Sequence, residues 1–202
     1  MKLYILRHED RTMDASFFSP LTKEGLENSV KLIDILNKEK IDTIYSSPFI
    51  RTLQTIYPYS KSKNYKINVD HALAEIQHPH IIPVKSYTIT LPQYIAEQFN
   101  CNNNYKSTID PNNHAYPEDE NKVCDRTKTF ITKIIKDFIN TNQNIVLVTH
   151  QIVCNCILKK ITKNMKNVNI TSSYNYMRGG LTCIFDTDDW TFQPINYKYV
   201  NN

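Results

Sequence analysis

The sequence contains no apolar run approaching the roughly 20 residues that a bilayer crossing needs, so nothing in it reads as a transmembrane helix. It also lacks any block of like charge. The net charge of +4 is scattered along the chain, which reads as a solvated surface rather than a nucleic-acid footprint. There is no cysteine framework: the five cysteines are an odd number without a paired pattern, unlike a small secreted scaffold. Cys154-Asn155-Cys156 is too closely spaced for the usual zinc ligand pair. Lying in an apolar, helix-like run, it reads as buried free thiols. The apolar stretch at the start is too short for a signal peptide and a charged cluster follows at once. The expected compartment is therefore intracellular, that is cytoplasmic. With no internal repeat and no linker, the expectation is one domain over residues 1–202.

What is present is a regular alternation of short apolar runs and amphipathic stretches. Lys2–Leu6, Asp42–Ser46, Lys66–Val69 and Asn144–Thr149 read as strands. Residues 145–148 are apolar throughout, as suits a strand covered on both faces. Between them lie predicted helices after Thr22, an N-cap candidate, over Pro48–Tyr57, over Lys122–Asn140 and over Ile152–Ile161. The first carries an expected apolar face of Leu26, Val30, Ile33 and Leu36 or Asn37. Leu181–Phe185 and Thr191–Ile195 read as a closing hairpin. A polar, proline-punctuated stretch from about 77 to 120 reads as a lid or insert, with Leu91–Phe99 as one possible helix. Together these predict an α/β three-layer sandwich, with a mostly parallel central sheet and helices on both faces.

In such sheets ligands sit beyond the carboxyl ends of the strands. The pairs at those ends are Arg7-His8, Ser46-Ser47 and Thr149-His150. A single histidine is more often structural than catalytic, and an Arg-His pair alone says little. The coincidence of several features carries the signal. Arg51 falls in the first turn of the helix after the second strand, and Glu75 follows the third. A phosphate monoester needs fixed positive charge, a nucleophile and a proton donor for the leaving oxygen. Arg7 and Arg51 supply charged forks suited to phosphate oxygens. His8 or His150 offers a neutral ring nitrogen, and Glu75 an acid.

Arg7-His8-Glu9, Leu21-Thr22-Lys23-Glu24-Gly25, the run Ser46 to Thr55, Leu73-Ala74-Glu75 and Val148-Thr149-His150 resemble, in order and spacing, the motifs of the histidine phosphatase (phosphoglycerate mutase-like) superfamily. The resemblance implies a metal-independent phosphatase without cofactor, hydrolysing phosphomonoesters through a phosphohistidine on His8. It implies Arg7, Arg51 and His150 around the phosphate and Glu75 as acid. It implies a phosphorylated small molecule or phosphoprotein as substrate, with no nucleic acid and no membrane as partner. The start Arg7-His8-Glu9-Asp10-Arg11, with Tyr116-Pro117-Glu118, is similar to the branch holding the T-cell-signalling suppressor and ecdysteroid-phosphate phosphatases. That similarity makes Arg11 a further candidate phosphate contact, with a plain surface charge as the alternative.

Glu9 departs from the family pattern, which has glycine there. Its side chain is expected to turn outward and pair with a cation such as Arg11. Two alternatives stay open on the sequence: mutase-type phosphoryl transfer, and a phospho-ligand-binding module whose turnover Glu9 weakens. A mutase lid is basic, whereas Ile76 to Glu120 holds only Lys85 and Lys106 as Lys or Arg. His78, His80 and His114 in that stretch read as surface or lid residues, and oligomeric state is not legible.

Overall fold

The computed structural model describes residues 1–14, 16–80, 91–162, 179–188 and 191–194. Its sheet holds β1 (Lys2–Arg7), β2 (Thr43–Ser46), β3 (Ile67–Val69), β4 (Asn144–Thr149), β5 (Gly180–Asp186) and β6 (Thr191–Pro194). Their order is β3-β2-β4-β1-β5-β6. The first four strands in that order run parallel, and β5 and β6 are antiparallel. The expected hairpin is present as β5 and β6, while Ile195 lies outside the described residues. Two helix pairs cover the sheet: α1 (Lys23–Lys38) with α2 (Ile50–Lys63), and α4 (Glu120–Phe138) with α5 (Gln151–Thr162).

The pleat sorts the strand residues between two cores. Leu3, Ile5, Ile145 and Leu147 pack with Phe130, Ile131 and Ile134 of α4 and Ile157 and Ile161 of α5. Tyr4, Leu6, Val146 and Val148 pack with Leu32 and Leu36 of α1 and Leu53 and Ile56 of α2. The central strands are apolar at successive positions because each face has a helix layer to bury against. No helix among the described residues is long and apolar enough to cross a membrane.

Thr22 is the N-cap of α1, its hydroxyl accepting from Gly25 N at 3.0 Å. The buried face of α1 differs from the expected one. Gly25, Asn28, Ser29, Leu32 and Leu36 are buried, whereas Leu26 and Val30 are 44% and 56% exposed. The cause is the approach of α1 to the chain after His8. Thr22 N donates to Asp10 O at 2.9 Å, and a Cβ on Gly25 would lie 2.1 Å from that oxygen. Only glycine fits this contact, so residue 25 faces inward and turns Leu26 and Val30 out.

Helix α2 runs past Tyr57 and through Pro58 to Lys63. Pro58 forfeits a backbone donor, but Tyr59 and Ser60 beyond it are buried, and Asn64 closes the helix at φ 55°. Packing outweighs the local preference there. Within the insert, α3 (Gln93–Ala96) continues into a 3-10 turn at Glu97–Phe99, and residues 81–90 lie outside the described residues. The insert returns beside β3, where Asn102 N donates to Ile67 O at 2.8 Å.

The reading of Cys156 as a free thiol is corrected. Cys124 of α4 and Cys156 of α5 form a disulfide, with Cα atoms 5.0 Å apart. Cys154, Cys183 and Cys101 are free. The partner of Cys156 is 32 residues away in sequence, brought beside it only when α4 and α5 pack on one face of the sheet. A cross-link over that separation is worth roughly 3–4 kcal/mol by loop entropy. Reductant, or Cys156→Ser, should therefore lower Tm by several degrees, read by thermal melts with and without a phosphine reductant. An unchanged Tm would show that the bond does not form in solution.

Candidate active site

The hydrogen-bond ladder continues one residue past the strands. His8 N donates to Thr149 O at 2.9 Å, and Ser47 N to Val148 O at 3.0 Å. His8, Ser47 and His150 are thereby set side by side at the carboxyl ends of β1, β2 and β4. The rings of His8 and His150 meet edge to face with centroids 5.3 Å apart. His8 Nδ1 lies 2.7 Å from Glu9 O. A carbonyl can only accept, so Nδ1 carries the proton and the lone pair stands on Nε2.

His150 is fully buried. Its Nε2 is 2.8 Å from Ser47 Oγ, and its Nδ1 is 3.4 Å from Glu75 Oε2. We assign Ser47 as donor to Nε2, which leaves Nδ1–H directed at the carboxylate. Arg51 stands in the first turn of α2, buried, with NH2 3.5 Å from the same Glu75 oxygen. Its NH1 donates to Ser16 O at 3.0 Å, and its guanidinium lies 4.5 Å from the centre of the Phe49 ring. Thr149 Oγ1 donates to Leu73 O at 2.6 Å, tying the loop that bears Glu75 to β4.

Burial and the charge of Arg51, with Arg7 and Arg11 adding to it, lower the His8 pKa to about 3. Burial, then Arg51, likewise pushes His150 well below its ordinary value. Burial lowers Arg51 to about 10, against the pull of Glu75, so it stays charged at neutral pH. The site therefore pairs fixed positive charge with neutral imidazoles. A phosphate dianion entering it favours protonation of the histidine beside it, reversing the sign of the shift.

The structure thus brings His8, Arg51, Glu75 and His150 together. Arg7 pairs in register with Thr149 and Gly180, and its charge acts on both histidines. Arg11 contributes field, but its NH1 donates to the carbonyls of Thr12 at 2.7 Å and Asp14 at 3.2 Å. The outward orientation expected of Glu9 is corrected. Glu9 is 2% exposed, its N donates to Thr55 Oγ1 at 3.0 Å, and a Cβ on Gly179 would lie 2.8 Å from its Oε2. The chain at Gly179 covers it, which leaves no route to solvent. The larger residue after His8 is matched by a glycine packed above it.

Ser47, Gln54 and Thr55 received no role from the sequence although they lie within its longest motif. Gln54 Oε1 accepts from Leu21 N at 2.7 Å. Thr55 Oγ1 donates to Arg51 O at 2.7 Å. Arg126 was missed as well, and its signal was a charge on the buried face of α4, between Val123 and Phe130. His114 lies in the insert with its side chain turned inward. Its side chain is 6% exposed, with Nδ1 3.6 Å from Glu118 Oε1.

Similarity to known proteins agrees with this geometry. No curated protein matches the sequence. Among solved structures, the ecdysone phosphate phosphatase of Bombix mori in complex with tungstate has a TM-score of 0.74 at 14% identity, with 100% of this chain and 96% of that chain covered. YhfR of Bacillus stearothermophilus has a TM-score of 0.65 at 20% identity, with 96% and 94% covered. The alpha-ribazole phosphatase of Shigella flexneri has a TM-score of 0.65 at 17% identity, with 96% and 95% covered. At these identities the likeness establishes the fold. The profile of the histidine phosphatase superfamily (branch 1) matches residues 5–193, and the chain belongs to that superfamily.

Proposed function

We propose that the protein is a phosphatase that hydrolyses phosphomonoesters through a phosphohistidine. The observation that carries this reading is the convergence of a neutral His8 with Arg51, His150 and the Glu75 carboxyl group at one strand-end pocket. His8 Nε2 attacks phosphorus, forming the P–N bond as the ester P–O bond breaks. Glu75, an anion beside Arg51 before substrate binds, takes up a proton as the phosphate dianion binds next to it and delivers that proton to the departing oxygen, releasing the alcohol. Water then attacks the phosphohistidine while Glu75 takes up its proton, and inorganic phosphate leaves with His8 neutral again. Arg7, Arg51 and His150 hold the phosphoryl oxygens and stabilise the charge that builds on them. The pocket's fixed cations do this without a metal. That solved structures with this fold include an ecdysone phosphate phosphatase and an alpha-ribazole phosphatase supports hydrolysis over mutase transfer.

The decisive experiment compares substrates of differing leaving group. His8→Ala should abolish turnover and acid-labile phosphoenzyme. Glu75→Gln should slow alkyl phosphates by about a hundredfold or more, and an activated aryl phosphate much less, because a poor leaving group needs the proton most. Equal losses on both classes would remove Glu75 as the acid.

The His8 pKa near 3 bears on the pH profile. A nucleophile is lost when its ring protonates, so a lowered pKa keeps it available in acid. No acid limb belonging to His8 should appear in kcat/KM between pH 7 and 5. A limb near pH 6.5 that disappears in no other site variant would show His8 titrating normally.

Glu9 decides between an active enzyme and a binding module. The fixed cations acting on the His8 ring are Arg51, Arg7 and Arg11, and all three are kept when Glu9 is changed. Glu9→Gly should change kcat/KM by less than about tenfold, under roughly 1.4 kcal/mol. A hundredfold gain would favour the binding-module reading.

A further inference from the structure

The general acid assigned above lies on a loop, where a small displacement is costly, because proton transfer needs hydrogen-bond distance in the transition state. Glu75 follows the 3-10 turn His71–Leu73 and belongs to no strand or helix. Two residues from outside the pocket grip the backbone on both sides of it. Arg126 NH1 donates to Ala72 O at 2.8 Å, and its NH2 to Glu75 O at 3.2 Å. The same guanidinium is forked onto Glu118, Nε to Oε1 at 2.8 Å and NH2 to Oε2 at 3.0 Å. Glu118 grips the loop downstream: Gln77 N donates to its Oε2 at 2.8 Å, and its own N donates to Gln77 O at 2.7 Å. Gln77 Nε2 closes the circuit by donating to Glu75 O at 2.7 Å.

These contacts reach main-chain atoms of residues 72, 75 and 77, and none of them reaches the Glu75 carboxylate. Both partners are buried, Arg126 at 8% and Glu118 at 3% exposure. A buried ion pair costs desolvation that a nonpolar pair of similar volume avoids, so its contribution to stability does not by itself account for it. Burial pushes the Glu118 pKa up, but the close approach of His114, the hydrogen bonds from Arg126 and the charge of Arg126 outweigh it and leave the group at about 2. Glu118 is therefore ionised throughout the working range.

We infer that Arg126 and Glu118 are positioning residues that hold the Glu75 main chain so that its carboxyl group reaches the leaving oxygen. This rests on the proposed phosphatase reading. Lysine keeps the charge of Arg126 but not its planar fork, and it cannot bond Ala72 O, Glu75 O and both Glu118 oxygens at those angles. Only the proton-transfer step is then impaired.

The test is Arg126→Lys assayed on an alkyl phosphate and on a dinitrophenyl phosphate, alone and combined with Glu75→Gln. The expected result is a tenfold or greater loss of kcat on the alkyl ester and less than about twofold on the aryl ester. Inorganic phosphate should inhibit with an unchanged constant. In the Glu75→Gln background, Arg126→Lys should add less than twofold on the alkyl ester, because a misplaced acid and a missing acid are the same defect. If Arg126→Lys does not fold at assay temperature, Glu118→Gln, close to isosteric, carries the same expectation.

Equal losses on both esters, or losses that multiply with those of Glu75→Gln, would overturn the inference while leaving the phosphatase reading standing. A wild-type protein inactive on every ester, or a Glu75→Gln variant without leaving-group dependence, would remove the underlying reading first, and the inference with it.

Discussion

Everything at the site depends on the parallel register of β2, β4 and β1. Arg7 sits opposite Thr149, and Ser46 opposite Val148, so three strands end at the same level. The bonds from His8 N to Thr149 O and from Ser47 N to Val148 O carry the ladder one step further. The side chains that follow are therefore placed by backbone geometry and not by their own attraction. Two imidazoles and buried guanidinium groups have no tendency to assemble by themselves. The sheet, with both faces buried, supplies the stability that holds them together.

The charge balance of the pocket follows from that confinement. Arg51 is almost wholly buried, and its positive charge is offset in part by Glu75 at 3.5 Å. The same burial and the same guanidinium keep His8 and His150 neutral. The cationic field that would receive a phosphate thus also preserves the lone pair of His8. Histidine suits this arrangement because its neutral form is reached by a modest environmental push, which a lysine in the same place would resist.

The insert after Glu75 is held down from beneath by one carboxylate. Asp70, wholly buried, accepts from Ala72 N, Tyr105 Oη, Thr108 N and Thr108 Oγ1 at 2.6–2.9 Å. Its own N donates to Ser46 O at 2.9 Å, so the anchor of the insert is itself anchored to β2. Glu118 and Arg126 play the corresponding part at the other end of the loop that carries Glu75. The loop is a short span clamped at both ends, and Glu75 stands in the middle of it.

The amino-acid order alone determined the strands, the main helices, the sandwich and the set His8, Arg51, Glu75 and His150. These depend on local periodicity and on motifs whose spacing is set within single strand-turn-helix units. Tertiary packing alone decided which face of α1 turns inward, because the approach of Gly25 to Asp10 O joins segments that local periodicity treats separately. It carried α2 through Pro58, paired Cys124 with Cys156 and buried Glu9 beneath Gly179. It also turned Arg126 from an oddly placed charge into the clamp on Glu75. Each of these joins residues distant along the chain, and the strength of such a contact depends on what else is buried around it, which no local pattern records.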